Sequence, residues 1–579
     1  MSEKQRPAFG NRIGGRAIVP KPKQMGATIR RLAGYLKNSV WLLLLTLIAA
    51  IAGTVMQVFS PKILGKATTT IFEGLSGSAG IDFTRLTHIL LIVGALYLGV
   101  FFTTFIQQRL MVVVSQKMTR DLRGALKAKM NRVPVSYFDK NSTGNLMSVA
   151  SNDTDNIVTN LQQSLTALIS NIILVVGILW IMFSISVPIT LLACLMVPGS
   201  IIIMKFYTPR TKKYAGAYYK ELGVLNGQIE ETFQGIDIVK SFNNETASIH
   251  AFEKTNDEMI KAGWKMKFFG GTMMPCMLFF QNVVYVLVAV AAAASVVTGK
   301  IIIGDMQAFL QYAMQFSNPI STFSQVWNNL ISIIVSAERV FEILDAEEVD
   351  RNKLSFPDSN GEPCKVKFQH LTFSYDDAPF MQDFNMSVQE GQMIAIVGHT
   401  GAGKTTLINL LERFYDVQGG GIYLDGADIR NFSHSELRSR LGMVLQDTWL
   451  FSGTIYDNIQ YGNEKATEEQ IFAVAKAAYA DEFIQKLANG YDTVLGEDAD
   501  NISQGQKQLI TIARAFVSNP EILILDEATS NVDSRTELII QRAMKRLLKG
   551  RTSFVVAHRL STIYDADTIL VMDRGDIAE

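Results

Sequence analysis

Apolar residues gather in six long runs over the first 326 positions, at 40–58, 86–106, 165–183, 187–206, 269–297 and 301–326. A helix needs about 20 such residues to cross a bilayer, so each run predicts a membrane span. The third and fourth are joined by a tight turn at 184–188, the fifth and sixth by Thr298-Gly299-Lys300. Two polar segments of about 60 residues, far longer than a usual structureless loop, separate the second run from the third and the fourth from the fifth. Leu122, Leu126, Met130 and Val133 keep a helical period through the first of them. The spans are therefore expected to continue as helices past their apolar runs and to turn at short helices near 137–143 and 217–224. Met25–Leu36 is basic and amphipathic, which predicts a helix lying along a membrane surface.

Beyond the last run the pattern changes. An acidic, polar stretch at 342–360 reads as a linker. From 361 onward, apolar runs of strand length alternate with helical patterns, as in a parallel sheet flanked by helices. The expected organisation is a basic N-terminal segment at 1–38 carrying the surface helix, a six-helix membrane domain at 39–341, the linker at 342–360 and an α/β domain at 361–579.

Hydrophobic residues are 48% of the 579, in keeping with a membrane-embedded half, and 54 basic residues balance 54 acidic ones. A neutral chain leaves no electrostatic footprint for nucleic acid, which is excluded as a partner. Lys and Arg still concentrate in the long polar segments (Arg120, Arg123, Lys127, Lys129 and Arg132; Arg210, Lys212, Lys213 and Lys220) and at Arg30, Arg31 and Lys37 ahead of the first span. The positive-inside rule puts these segments and both chain ends in the cytoplasm of a multi-pass plasma-membrane protein. The first apolar run is too long for a signal-peptide core, so no cleavable leader is expected. Cys194, Cys276 and Cys364 are scattered without metal spacing and read as buried small hydrophobes in a reducing compartment.

Candidate chemistry lies in the α/β part. Gly398-His-Thr-Gly-Ala-Gly-Lys404-Thr405 follows the apolar run Met393–Val397 and matches G-x-x-x-x-G-K-[ST] between a strand and a helix. The backbone at Gly398, Thr400, Gly401 and Gly403 can close round phosphate oxygens. Lys404 is placed for the β- and γ-phosphates and Thr405 for Mg²⁺, with Thr406 beside it. A second apolar run, 522–525, ends in Asp526-Glu527. Asp526 is placed to hold Mg²⁺, and Glu527 to orient and deprotonate a water. His558 follows the run 552–556 within reach of a γ-phosphate, and Tyr375 offers a ring for adenine. A strand-end tyrosine or a capping histidine is ordinary alone; their order along one chain points to a hydrolase of ATP using Mg²⁺.

In the spans, Gln107, Gln108, Gln281, Asn282, Gln311 and Gln315 sit among Met273, Met274, Met277, Phe279, Phe280, Met306, Met314 and Phe316. Such a surface adapts to varied apolar ligands, or simply packs helices. Asp305 reads as a helix cap near a span end. No chain of Asp, Glu and His crosses the spans, which argues against a proton-coupled carrier.

On these residues the chain resembles the ATP-binding-cassette (ABC) transporters, specifically exporter half-transporters with one membrane domain and one cassette. The matching parts are Tyr375, the loop 398–405, Gln446 in Val-Leu-Gln-Asp, the signature Asn501-Ile-Ser-Gln-Gly-Gln506, Asp526 with Glu527, Asp533 in Ser-Asn-Val-Asp, and His558 in Ala-His-Arg-Leu. The fold class implied is membrane α-helical, six transmembrane helices with long cytoplasmic extensions, fused to an α/β P-loop ATP-binding cassette. The resemblance implies catalytic roles for Glu527, His558 and Gln446, and Mg²⁺ held by Thr405, Gln446 and Asp526. It also implies cassettes paired head to tail, so that Ser503, Gly505 and Gln506 of one meet ATP on the loop of the other. By the same resemblance the turns at 137–143 and 217–224 would be coupling helices, and Gly496-Glu497 would meet them.

One departure is informative. The family's signature is Leu-Ser-Gly-Gly-Gln; here it is Ile502-Ser503-Gln504-Gly505-Gln506. Glycine permits close backbone approach at a helix N-terminus, and glutamine adds a side chain there. With Glu527 intact, the chain reads as the hydrolytic half of a heterodimer. Its partner would bring a normal signature and a degenerate Walker B, as in heterodimeric bacterial drug exporters; a homodimer that tolerates the variant is the alternative. The expected substrate is a hydrophobic or amphipathic small molecule, of the multidrug type, moved out of the cytoplasm or inner leaflet by alternating access. Lipid flipping and peptide export are the rivals, and a non-transporting membrane ATPase a more distant one. Family cassettes continue beyond the position of Glu579 with a short helical tail, so one is expected.

Overall fold

The computed structural model describes residues 25–76, 80–349, 364–375, 380–445, 448–496, 499–526, 533–557 and 563–579. Its contacts divide the chain into two units, Met1–Asn131 with Thr143–Ala346, and Arg132–Ser142 with Glu347–Glu579.

The first unit is helical. Its elements are α1 (Met25–Leu36), α2 (Val40–Ser76) and α3 (Phe83–Met130). After α4 (Val135–Lys140), which groups with the second unit, come α5 (Thr143–Ser148), α6 (Thr154–Ile185), α7 (Val187–Cys194), α8 (Met196–Gln234), α9 (Ile236–Ser241), α10 (Glu245–Val297) and α11 (Ile303–Leu344). A π-turn at Val149–Asp153 joins α5 to α6. The long polar segments are helix, as their periodicity predicts: α3 runs 48 residues and α10 runs 53. A helix forms over Met25–Leu36, buries Leu32 and holds Arg31 against Asp345 at 2.6 Å.

Among the described residues five stretches are long and apolar enough to cross a membrane: Met25–Ser76, Phe83–Met130, Thr143–Ile185, Val187–Gln234 and Glu245–Val297. The expected sixth span forms a helix, α11, but is not among them. Asp305, Gln307, Gln311 and Gln315 dilute its apolar character, and its apolar residues turn inward. Ala308, Phe309, Tyr312 and Ala313 are fully buried, one stripe at helical spacing. α11 meets α2 at a tight crossing, where a Cβ on Gly304 would lie 2.0 Å from the Gly65 carbonyl oxygen, so only glycine fits. Near that crossing the Tyr312 hydroxyl donates to the Val58 carbonyl at 2.7 Å, beside Pro61 inside α2. Asp305 stands in the first turn of α11, where a carboxylate favours the helix dipole.

Two expectations are corrected. The turn predicted at 217–224 lies inside α8, which continues to Gln234 and ends at Gly235; the short helix is α9. α8 carries glycines at 216 and 223 and still runs unbroken, because it packs lengthwise on α10 and that packing outweighs the roughly 1 kcal/mol helix cost of each. The three cysteines are half-buried rather than buried. The other short helix, expected near 137–143, is α4.

The second unit is α/β. It holds β1 (Cys364–Phe373), β2 (Met381–Gln389), β3 (Met393–Val397), α12 (Lys404–Leu411), β4 (Gly419–Leu424), β5 (Ala427–Asp428), α13 (His434–Arg440), β6 (Leu441–Val444) and β7 (Gly453–Thr454). There follow α14 (Ile455–Gln460), α15 (Glu468–Ala477), α16 (Asp481–Ile484), β8 (Val494–Leu495), α17 (Gln504–Ser518), β9 (Ile522–Asp526), α18 (Ser534–Leu548), β10 (Thr552–Val556), β11 (Thr568–Asp573) and β12 (Asp576–Ile577). The main sheet runs β12-β11-β3-β10-β9-β6, parallel except for the β12 edge. A separate antiparallel sheet, β2-β1-β4-β5, was not foreseen.

Residues of the parallel strands alternate between two cores. Ile522, Ile524, Phe554 and Val556 pack with α12 and the antiparallel sheet. Leu523, Leu525 and Val555 pack on the other face with α14, α15, α17 and α18. These near-continuous apolar strands are what a sheet covered on both faces requires.

Candidate functional site

The loop after β3 is built for an anion. Gly401 and Gly403 have φ of +84° and +108°, left-handed values that favour glycine, and Gly403 leads directly into α12. Successive N–H groups of such a loop, ending at a helix N-terminus, point into one concavity. A Cβ on Gly398 would meet the Met572 carbonyl oxygen at 2.4 Å, so the loop lies flush against β11. Gly575 N–H donates to the Ala402 carbonyl at 2.9 Å and anchors its other side. Lys404 folds back over the loop, its ammonium donating to the carbonyls of Gly398 at 2.6 Å and His399 at 3.1 Å. A cation held over a ring of N–H donors, with Thr400, Thr405 and Thr406 close in sequence, fits a polyphosphate.

His399 adds charge at the rim. The Thr400 carbonyl, and then the Asp573 carboxylate 2.6 Å from Nε2, hold its imidazole above its ordinary range. Sequence reasoning passed over this residue because it occupies a variable position of the loop pattern.

Tyr375 follows β1 and is 43% exposed. Its hydroxyl donates to Oγ1 of Thr406 at 3.1 Å, which ties the ring to α12. Phe373 and Tyr415 meet it nearly edge-on, with centroids 4.9 and 5.1 Å away.

Sheet register brings the second motif to the same edge. Ile396 pairs with Val556, and Val556 with Asp526, so the ends of β3, β10 and β9 stand in one row. Strands are about 4.8 Å apart, which puts Asp526 roughly 10 Å along the edge from the start of the phosphate loop. This is the carboxyl end of a parallel sheet, where open α/β folds bind ligands. Gln446, Glu527 and His558, and with them Glu497, lie outside the described residues.

Ser503, Gly505 and Gln506 are not brought to this loop. They open α17, which packs on the opposite face of the sheet from α12. There they form a capping box: Gln506 N–H donates to Ser503 Oγ at 3.3 Å, and Ser503 N–H to Gln506 Oε1 at 2.8 Å. Gln504 is exposed and its amide donates to Oγ1 of Thr448 at 2.9 Å. Asp533 caps α18 by accepting from the N–H groups of Arg535 and Thr536, and those bonds hold its carboxyl below the usual range.

A family model described as the ABC transporter transmembrane region matches residues 43–320, and one described as ABC transporter matches residues 381–530. A fatty acid ABC transporter ATP-binding/permease protein of Mycobacterium bovis is 41% identical over 588 residues, covering 95% of this chain and 92% of that one. The chain belongs to the ABC transporters. Its membrane half is of the exporter type, and the exporter is an ATPase whose hydrolysis drives transport across a membrane. An ATP-dependent lipid A-core flippase of Syntrophus aciditrophicus is 34% identical over 478 residues, 82% of this chain and 79% of the flippase. A putative multidrug export ATP-binding/permease protein of Bacillus subtilis is 33% identical over 522 residues, 90% of each.

Within the exporter's helical unit, Gln107 is 5% exposed and its Nε2 has no hydrogen-bond partner; Oε1 of Gln315 is likewise buried and unpartnered. Met274, Phe279 and Met314 are exposed, whereas Phe316 is buried. The Gln/Met/Phe group read from the sequence thus divides into packing residues and outward-facing ones.

Proposed function

We propose that this exporter moves hydrophobic or amphipathic compounds out of the cytoplasm or inner leaflet of a bacterial plasma membrane, with both chain ends cytoplasmic, as one half of a heterodimer. The observation that carries the reading is a contrast within one cassette: a fully formed phosphate loop, and a signature helix whose N-terminus bears Gln504 where the family has glycine. In a head-to-tail pair, ATP on this loop would meet the partner's signature and form a consensus site. ATP on the partner would meet Ser503, Gly505 and Gln506 across Gln504, in a degenerate one. The position of α17 on the face away from α12 supports a signature that serves another chain.

In the consensus site, the backbone of 398–403 with Lys404 and Thr406 binds the triphosphate, and Tyr375 stacks the base. Glu527 orients and deprotonates the water, and His558 senses the γ-phosphate. Mg²⁺, held by Thr405, Gln446 and Asp526, would neutralise phosphate charge. Clamping of the cassettes then shifts the membrane halves; a swing from 1:99 to 99:1 takes about 5.5 kcal/mol of differential binding.

A lipid-like substrate is the second reading, favoured by the 41% identity to a protein named as a fatty acid transporter. The unpartnered amides of Gln107 and Gln315 would serve a polar head group on such a molecule.

The test is ATPase of the purified chain alone and with its partner, wild type and Glu527→Gln, with Hoechst dye or oleate added. Activity confined to the mixed complex and abolished by Glu527→Gln, with ATP still bound, is the expected result. Stimulation by dye or by oleate then separates the two substrate readings. Full activity of this chain alone overturns the heterodimer, and near-wild-type hydrolysis by Glu527→Gln overturns the role of that residue.

A further inference from the structure

The phosphate loop leans on a hairpin at the end of the chain. β11 turns into β12 through Arg574 and Gly575, whose φ values of +48° and +92° are the left-handed pair of a tight two-residue turn. Met572 and Asp573 face Ile577 and Asp576 across it. Three loop residues meet this hairpin. Gly398 lies flush against the Met572 carbonyl, the Ala402 carbonyl accepts from Gly575 N–H, and His399 reaches Asp573. The first two contacts are backbone and hold at any pH. The third can be made or broken by a proton.

Both nitrogens of the His399 ring face oxygens that only accept. Nδ1 is 2.7 Å from the Thr400 carbonyl oxygen and Nε2 is 2.6 Å from an Asp573 carboxylate oxygen. A neutral imidazole carries one N–H and one bare lone pair, so one of these contacts would set lone pair against lone pair. Only the imidazolium donates to both. The same two groups, the Thr400 carbonyl first, hold the imidazole above its ordinary range, while the Lys404 charge pulls the other way.

Each bond bears on the loop. With the Thr400 carbonyl drawn to the ring, the planar trans peptide turns the Gly401 N–H to the opposite side. The His399 carbonyl accepts from the Lys404 ammonium at 3.1 Å, so ring and lysine fix this residue from two sides. Asp573 stands opposite a second carboxylate, Asp576, which accepts from Gln382 N–H. Without the imidazolium, that pair leaves uncompensated negative charge beside a loop built for phosphate.

We propose that His399 is a positioning residue for the nucleotide: as an imidazolium it fastens the phosphate loop to the β11–β12 hairpin, and affinity at this loop falls as rising pH removes that proton. The charged groups round the ring are Lys404 of α12 and Asp573, Arg574 and Asp576 of the hairpin. At low pH both ring bonds stand and Asp573 is offset. As pH climbs through the raised range of the imidazole, one bond is lost, the peptide between Thr400 and Gly401 is freed, and the Asp573 charge is bared. The inference rests on the phosphate role proposed above for the loop.

The test is nucleotide binding by the full-length transporter in detergent, with whatever partner chain co-purifies. The MgATP concentration that half-displaces trinitrophenyl-ATP is measured from about pH 6 to about pH 9. Wild type should weaken by about threefold or more across that range, the scale of one exposed ion pair. His399→Arg, whose guanidinium keeps its proton throughout, should remove most of that slope whatever its affinity. His399→Gln should bind at every pH as wild type does at the alkaline end. Asp573→Asn still accepts a hydrogen bond but no longer draws the proton, so its curve should keep the wild-type form and move to lower pH. A flat wild-type curve, a His399→Arg curve as steep as wild type, or an Asp573→Asn curve that stays in place overturns the proposal. Lys404→Ala should weaken binding at every pH; wild-type affinity in that variant would overturn the phosphate role of the loop itself.

Discussion

The side-chain amide of Gln504 donates to Oγ1 of Thr448 across 2.9 Å. The residue that departs from the family's signature is therefore fixed to the chain two positions beyond Gln446, not left loose at the mouth of α17. In the heterodimer proposed above, its bulk would stand where the partner's phosphate approaches. Gln504→Gly is expected to raise the ATPase of this chain purified alone by three- to tenfold, because one regained backbone contact is worth about 1 kcal/mol. An unchanged rate would show that the side chain is harmless and leave the heterodimer without its main support.

Gly403 carries a φ of +108° at the start of α12. A side chain there is strained by about 1–2 kcal/mol, and its Cβ would approach Gly575 Cα to 3.2 Å. Gly403→Ala should raise the ATP concentration for half-maximal binding roughly tenfold or more while leaving the protein folded, as judged by nucleotide titration and circular dichroism. Wild-type affinity would mean that the loop adapts and its observed shape is not needed.

Glu412 is only 5% exposed at the end of α12, and burial pushes its carboxyl up to about 7 against the pull of Arg438. In an unfolded chain it ionises near 4.5. Between those values the folded protein holds a proton that the unfolded chain has lost, so this group's contribution to stability falls as pH rises from about 4.5 to 7. A shift of that size corresponds to about 3 kcal/mol. Glu412→Gln should therefore melt higher than wild type at pH 8, with the gap closing towards pH 5. A variant melting lower at pH 8 would contradict this account.

Tyr312 is fully buried and its hydroxyl donates to the Val58 carbonyl of α2 at 2.7 Å. Tyr312→Phe keeps the ring and leaves that carbonyl without its side-chain donor, and should cost about 1–3 kcal/mol. Thermal inactivation in detergent, compared with Phe309→Leu, which shrinks a buried ring and removes no hydrogen bond, measures it. Equal loss in the two would show ring packing alone at work.

Much of the molecule was legible because its signals are local. Apolar runs long enough to span, the helical period of Leu122 to Val133, and the tight turns at 184–188 and 298–300 each arise from neighbours in sequence. So does the phosphate loop, whose glycine spacing and following helix fix backbone geometry without help from the rest of the fold. What was missed depended on distant partners. α9 was misplaced because packing on α10 carries α8 on to Gln234, past the expected turn. The β2-β1-β4-β5 sheet pairs segments whose order along the chain does not announce it. His399 filled a variable position of the loop pattern, and its partner Asp573 lay 174 residues away.

The sequence by itself determined the two halves, the helical course of the first, and the phosphate chemistry of the second, since periodicity and short motifs act over one or two turns of chain. Only the tertiary structure decided that α4 keeps company with the α/β unit, that Asp526 stands in the same row as the phosphate loop, and that α17 faces away from it. Those placements follow from which faces of the sheet are apolar and which polar groups find partners hundreds of residues away, a choice made by burial and hydrogen bonding across the whole fold.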